Sequence, residues 1–538
     1  MKKNKTLTLN KSQINLINIL VSISMFFLIL VLSNYITSIK RFIEYNILGA
    51  FLGAIVLFIT LIKSNKIKKI KKKTLILSFF IACYSMRHFI NVNINWINLL
   101  ITEFISDSLC NIFIFMLGIF ALPALIYFCY LFLEKVFPKI KKFILNLEKT
   151  EKIYLLIIFF ISLLLSIVIC FSTTAFTFSM DKSPLYDIIF TSDSSLLVAD
   201  DAFINFSHPE NDLRQPLFGV FSFPFGIVAH FLSDFLFITN GQSYFVILIV
   251  MQFLLNAITT IMLGRLLKLE DKHKKYFYLL FSVSFPYLIF SLVLEQYSIA
   301  LFYLILTIYI ANNYKGINYL YAGATGTLLT SGIIFPLITK FKSLKQWIKD
   351  VFKCFLAFVG IVIFSGQFLQ ILDIRNKISA FSQYTGVQPM LEKIYKFTEF
   401  ISSIFVGTNG CVSFEGGYAS YRLLVPERIN YFGLIIFPLI IVSYILNKKN
   451  KMAKLSFVWI LFSILVLVLI GWGQPENGLI LYSLYFSWAY LILIYLLIKK
   501  IFIKERIFKL VMIITILLMS YFNFSEFIKI ILFAIKYY

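Results

Sequence analysis

Between Thr191 and Gly219 the chain reads TSDSSLLVADDAFINFSHPENDLRQPLFG, gathering Asp193, Asp200, Asp201, His208, Glu210, Asp212 and Arg214 into one short stretch. Carboxylates at this density are suited to acid–base work, in which one of them takes a proton from an acceptor hydroxyl. Asp200 and Asp201 are adjacent, so on a helix or strand they point differently and only one reaches a given acceptor. Asp193 stands seven residues before Asp200, about two helical turns, and can share its face. His208, Glu210, Asn211, Asp212 and Arg214 crowd directly ahead of Pro216, where Asn211 or Asp212 can equally cap a following helix. The plain alternative for each acid is a solvated loop carboxylate.

The elements around this stretch belong to a membrane. Hydrophobic residues make up 60% of the 538, charged residues only 14%, and the mean hydropathy is +0.87. Such a composition excludes an ordinary soluble domain. Apolar runs of about 20 residues, each enough to cross a ~30 Å hydrocarbon core, recur along the length. The net charge of +24 sits in short lysine clusters between those runs. It reads as positive-inside anchoring rather than nucleic-acid binding. Six cysteines are scattered, with Cys83, Cys129 and Cys354 inside apolar runs and Cys411 in an outer loop, so no disulfide framework is implied. His88, His208, His230 and His273 show no metal-ligand spacing. The first apolar run, near 14–36, lacks a small-residue cleavage site and reads as a retained span.

The expected fold is an all-α polytopic membrane protein of about 13 transmembrane helices. A short broken-helix hairpin and two large extracytoplasmic loops carrying surface helices complete it. Spans are expected near 14–36, 45–62, 74–92, 108–133, 153–171, 243–264, 277–293, 297–311, 351–371, 431–447, 455–472, 479–498 and 507–524. The lysines at 63–73 and 135–152 then lie in the cytoplasm with the N-terminus. If 216–237 also crossed, the basic cluster Arg265 to Lys275 would fall outside, against the positive-inside rule. That run holds Pro216, Gly219, Pro224, Gly226, His230 and Asp234, so it is expected to lie on the outer surface as one or two amphipathic helices. By the same charge argument, 318–338 is expected to be two short helices broken near Thr330, permitted by Gly323, Gly326 and Gly332. The domain plan is a four-span extension over 1–150, a core over 151–505 with outer loops 172–242 and 372–430, and a C-terminal span and tail over 506–538.

A span, an outer loop with the acidic pair Asp200-Asp201, the element Arg214-Gln215-Pro216-Leu217-Phe218 and a polar break at Asn240-Gly241 follow one another. Together with the Glu295-Gln296-Tyr297 turn and the glycine-rich 318–338 segment, they resemble membrane glycosyltransferases of the GT-C fold. Protein O-mannosyltransferases and lipid A aminoarabinose transferases belong to that group. The resemblance covers about residues 150–500, omits the four N-terminal spans, and shows Asp-Asp where Asp-Glu is usual. It implies a polyprenyl-phosphate sugar donor, an envelope glycan, lipid or protein acceptor, and Asp200 or Asp201 as the base.

On that reading the leaving phosphate needs cations or a divalent metal. The outer arginines Arg214, Arg422 and Arg428 suit bidentate phosphate contact, whereas Lys393 and Lys396 read as ordinary loop lysines. Glu295, in an outer turn between two spans, needs a partner or a role, and Glu476 in GWGQPENG also faces outward. Arg87-His88 reads as an interfacial anchor. Rival functions are a lipid-linked glycan polymerase or ligase, a polytopic transporter or flippase, and a non-enzymatic envelope-assembly protein. The expected location is a bacterial cytoplasmic membrane with the N-terminus inside.

Overall fold

The computed structural model describes residues 6–33, 46–64, 69–101, 107–176, 188–190, 192, 194, 197, 201–206, 215–236, 242–313, 320–328, 331–332, 343–367, 385, 388–407, 410–415, 418–424, 426–474 and 479–538. Helix dominates them, and the strands form only two antiparallel pairs. Eight of the described helices are long and apolar enough to cross a membrane, or nine if one bent pair counts as a span. Three shorter apolar helices, Ile47–Lys63, Tyr297–Asn313 and Tyr431–Leu446, accompany them. The chain is an all-α, multi-pass membrane protein. Helices prevail because lipid offers a backbone amide no partner outside its own segment.

The chain divides into two compact units. The first comprises 1–148, 200–227 and 352–375. Its frame is α1 (Lys11–Leu32), α2 (Ile47–Ser64), α3 (Lys72–Ile101) and α4 (Asp107–Leu131), followed by a π turn (Phe132–Val136) and α5 (Phe137–Leu145). Ala50, Ala82, Ala121 and Ala124 are fully buried among Met25, Ile29 and Phe89, the small-residue packing that lets membrane helices approach closely. Pro123 interrupts the ladder of α4, and the next amide, Ala124 N, donates to Ser24 Oγ of α1 at 2.8 Å. β1 (Thr6–Thr8) pairs with β2 (Lys69–Lys71). Lys71 Nζ meets Glu134 at 2.8 Å, and Thr74 donates to the same carboxylate at 3.0 Å. The N-terminal segment and two basic segments therefore share one end of this unit.

The second unit comprises 149–199, 228–351 and 376–538. Its helices are α6 (Lys149–Ser172), α8 (Gln242–Leu266), α9 (Asp271–Ser282), α10 (Phe285–Leu292), α11 (Tyr297–Asn313), α12 (Leu320–Thr327), α14 (Met390–Phe405), α15 (Tyr431–Leu446), α16 (Lys451–Ile464), α17 (Ser483–Ile501) and α18 (Glu505–Tyr537). Two helices run across the division, α7 (Phe218–Leu236) and α13 (Leu344–Phe364). α17 is the buried axis of the second unit, with Trp488, Tyr490 and Tyr495 wholly enclosed. At one end Glu151 of α6 is fully buried and gripped by Arg265 of α8, Nε–Oε1 2.9 Å and Nη2–Oε2 2.5 Å. Lys274 of α9 stands 3.6 Å away. His273–Glu505 at 3.1 Å and Lys451–Asn312 at 2.6 Å tie in α18, α16 and α11, so this unit's basic segments also share one end. At the other end, Thr173 just beyond α6 donates to Ala534 O of α18 at 2.9 Å.

Several expectations change. Within 216–237, where one or two helices were expected, the chain forms the single continuous helix α7, which by length and composition alone is also apolar enough to span. Gly219 and Gly226, counted with the prolines against a span, give α7 a flat packing face. Residues 277–293 do not form one straight span: α9 and α10 are bent by 64°. The bend falls at Val283-Ser284, just ahead of Pro286 in the first turn of α10. Of the 318–338 hairpin, α12 and a short turn at 331–332 are described, while 333–342 lie outside the described residues. Residues 506–538, set apart in the sequence reading, belong to α18 and pack into the second unit, and 200–227 and 352–375 pack into the first.

Candidate functional site

The acidic stretch is described from Asp201 onward. Asp201 adopts a left-handed backbone, φ 49°, which aspartate tolerates better than most residues. Its carbonyl accepts from Ile204 N and Asn205 N, both at 3.0 Å, closing a tight turn. The turn lies flat on the first half of α7. A Cβ at Gly219 would come within 2.1 Å of Asn205 O, and one at Gly226 within 2.6 Å of Ile204 Cγ2. Between them, Ser222 Oγ donates to Phe203 O at 2.8 Å. Gly219, Ser222 and Gly226 thus line one face of α7 at helical spacing, and that face carries the turn. Ala202, Phe203 and Ile204 are buried beneath it, while Asp201 stays half-exposed. Phe206 packs edge-on against Phe89 and Phe223, and its carbonyl accepts from Gln367 Nε2. A carboxylate on a strained, firmly docked turn is a pointer to function.

The second unit has its own polar constructions. At the end where α18 finishes, the hairpin β3 (Gly410–Glu415) and β4 (Tyr418–Leu423) folds down, joined by Phe190 N to Tyr421 O at 2.9 Å. Two polar side chains of α18 anchor it. Asn523 Nδ2 donates to Val283 O in the α9–α10 bend and to Phe405 O at the end of α14, and its Oδ1 accepts from Gly407 N. Glu526 accepts from Gly410 N at 3.0 Å and Tyr421 Oη at 2.6 Å, and pairs with Lys529 at 3.0 Å. Burial and the Glu526 carboxylate hold the Tyr421 phenol well above its usual range. Arg422 is half-buried on β4 opposite Cys411, and Arg428 is exposed in the bend before α15.

Beside the hairpin a shallow open groove is lined by Lys396, Glu399, Phe400, Leu423, Leu424 and Ile480, among others. Lys393 and Lys396, read from the sequence as ordinary loop lysines, are buried to 9% exposure. Lys396 donates to Gln474 O at 2.5 Å. Desolvation lowers its pKa below the usual lysine value, with Glu392 pulling the other way. Glu399 accepts from Asn430 Nδ2 at 2.6 Å.

Glu295, expected in an outer turn between two spans, is buried inside the protein. The segment Val293–Gln296 separates α10 from α11, and all four residues are buried. It packs against Gln252, the eleventh of the 25 residues of α8, roughly 15 Å along that helix. Gln252 Nε2 donates to Ser291 O and Val293 O at 3.4 and 3.1 Å, and its Oε1 accepts from Glu295 N at 3.2 Å. Glu295 Oε2 accepts from Gln296 N at 3.3 Å.

Of the residues the sequence nominated, Asp201, Glu295, Arg422 and Arg428 are described. Asp193, Asp200, His208, Glu210, Arg214 and Glu476 lie outside the described residues. Asp201 belongs to the first unit and the other three to the second. Among the described residues no group of three His, Cys, Asp or Glu side chains could hold a metal ion. Sequence reasoning missed Lys396, Asn523, Glu526 and the pair Gln252 and Asn256. Their signals were present: Lys393 and Lys396 share the heptad face of Phe397, Phe400 and Ile404, and the others are polar residues at i, i+3 or i, i+4 within apolar runs. Comparison with protein-family models, curated proteins and solved structures finds no match.

Proposed function

We propose that the chain is a membrane glycosyltransferase that moves a sugar from a polyprenyl-phosphate donor to an envelope acceptor at the outer face of a bacterial cytoplasmic membrane. The observation that carries the reading is Asp201, a half-exposed carboxylate in a left-handed turn seated on the small-residue face of a membrane helix. A base must be held at fixed height and angle to meet an acceptor hydroxyl, and a turn clamped by backbone contacts supplies that. Asp201 or its neighbour Asp200 takes the proton from the acceptor hydroxyl as its oxygen bonds to the sugar and the sugar leaves its phosphate, and Arg214, 13 residues beyond Asp201, is the cation assigned to that phosphate. About 13 spans with a cytoplasmic N-terminus go with this reading.

The test is transfer of labelled sugar from a polyprenyl-phosphate donor in membranes carrying Asp200→Asn or Asp201→Asn. Asparagine tolerates the left-handed backbone, so insertion and yield should be unchanged. Transfer should fall by roughly 10²- to 10⁴-fold in at least one variant, the usual worth of a general base. Full transfer by both variants sinks the assignment. One observation favours a second reading, a transporter or flippase: the buried break between the apolar helices α10 and α11, since broken helices are used by secondary transporters. Uptake or lipid translocation that survives in both aspartate variants, without any transfer in the wild type, would decide for it.

A further inference from the structure

The helix that begins as α4 does not stop where a span would. It continues unbroken through the π turn and α5, from Asn111 to Leu145, for 35 residues. At about 1.5 Å per residue that is ~52 Å, against a hydrocarbon core of ~30 Å. The run is free of charge from Asn111 to Leu133, and its first charges are Glu134 and Lys135. The surplus of roughly 20 Å therefore falls at the far end, where it matches the π turn and α5 together.

α5 has two unlike faces. Phe137, Ile140 and Ile144 recur at i, i+3 and i+7 along one side and are 50%, 42% and 54% exposed. Lys135, Lys139 and Lys142 recur at i, i+4 and i+7 along the other, and all are exposed. Glu134, the one acid of the run, already pairs with Lys71 at 2.8 Å. That pair brings β2 to the same end, where the exposed Lys69, Lys72 and Lys73 add further positive charge and Glu148 opposes it. Lysines that only orient a span need no apolar stripe opposite them. A stripe flanked by lysines suits the headgroup zone, with its apolar side toward acyl chains and its cations among phosphates. Charge of this sign and density selects an anionic leaflet over a zwitterionic one.

We propose that α5 is an interfacial helix that docks on anionic lipid headgroups. Phe137, Ile140 and Ile144 dip toward the acyl chains while Lys139 and Lys142 hold phosphates. The proposal goes beyond glycosyl transfer, and its test needs no sugar donor. A spin-labelled amino acid is incorporated at Ile140 or at Lys142 of the full chain, so the native cysteines stay. The chain is then placed in nanodiscs of phosphatidylcholine, with or without phosphatidylglycerol. Collisions with oxygen, which concentrates in lipid, are compared with collisions with a nickel chelate, which stays in water. In anionic discs the oxygen-to-nickel ratio should be several-fold higher at 140 than at 142. Omitting phosphatidylglycerol should lower the ratio at 140 several-fold, and so should Lys139→Gln, Lys141→Gln and Lys142→Gln together. These lysines are exposed, so the triple variant should insert and purify as the wild type does. A ratio at 140 as low as that at 142 in anionic discs overturns the proposal by leaving the stripe in water. A high ratio indifferent to both phosphatidylglycerol and the lysines overturns it by showing insertion without headgroup recognition. A label at 140 reached by neither probe overturns it in favour of a second copy or another protein on that face.

Discussion

The turn at Asp201–Phe206 and the break at Val293–Gln296 are both polar interruptions in a membrane protein, yet opposite materials hold them. The turn is seated by backbone against a helix face stripped of side chains, so its position depends on what Gly219 and Gly226 lack. The break is held by what α8 adds, the amides of Gln252 and Asn256 reaching across to carbonyls and hydroxyls. A site seated on glycine tolerates change in its own side chains and fails when its platform gains an atom. A site capped by amides fails when the cap is removed.

The largest expected effect tests the first half of that contrast. Gly219→Val places atoms where Asn205 O already stands, and should cost about 3 kcal/mol or more, read from thermal unfolding in detergent. Ser222→Ala, on the same face, removes one hydrogen bond and should cost about 1 kcal/mol. Near-neutral Gly219→Val would mean the turn is not held by close backbone approach. The second half is tested by Gln252→Leu, which leaves two carbonyls and one amide without their partners and should cost about 2 kcal/mol. If it melts earlier than Gly219→Val, the ranking of the two constructions is reversed.

The smallest effect concerns a third polar place, Lys396 beside the groove. Its pKa lies below 10.5 in the folded chain because burial disfavours the ammonium. At low pH both folded and unfolded chains carry the charge, so the penalty is fully present. As pH rises past the folded value toward 10.5, the folded chain releases its proton first and stability should rise. Melting midpoints followed across that window should climb in the wild type, and Lys396→Met should flatten the climb.

Much of this was legible in the residues. Apolar runs located most helices, because burying a span in hydrocarbon requires only length and composition. The acidic stretch was visible for the same reason, since charge between two apolar walls is conspicuous. Bends were not legible: Pro286 was in plain view, yet nothing in 277–293 states how far α9 and α10 diverge. The seat on α7 was not legible either, because a glycine that weakens a span and one that admits a neighbour look identical in a sequence.

By itself, then, the sequence determined that this is a polytopic helical membrane protein and that its densest acidic stretch falls between apolar runs. Those properties are sums over local residues. Only the tertiary structure decided that Gly219 and Gly226 form a seat, that Glu295 is buried against Gln252, and that Asn523 and Glu526 reach the 407–421 segment. Each of these depends on which distant segment arrives at a given helix face. That arrival is fixed by packing between helices, and no local pattern encodes it.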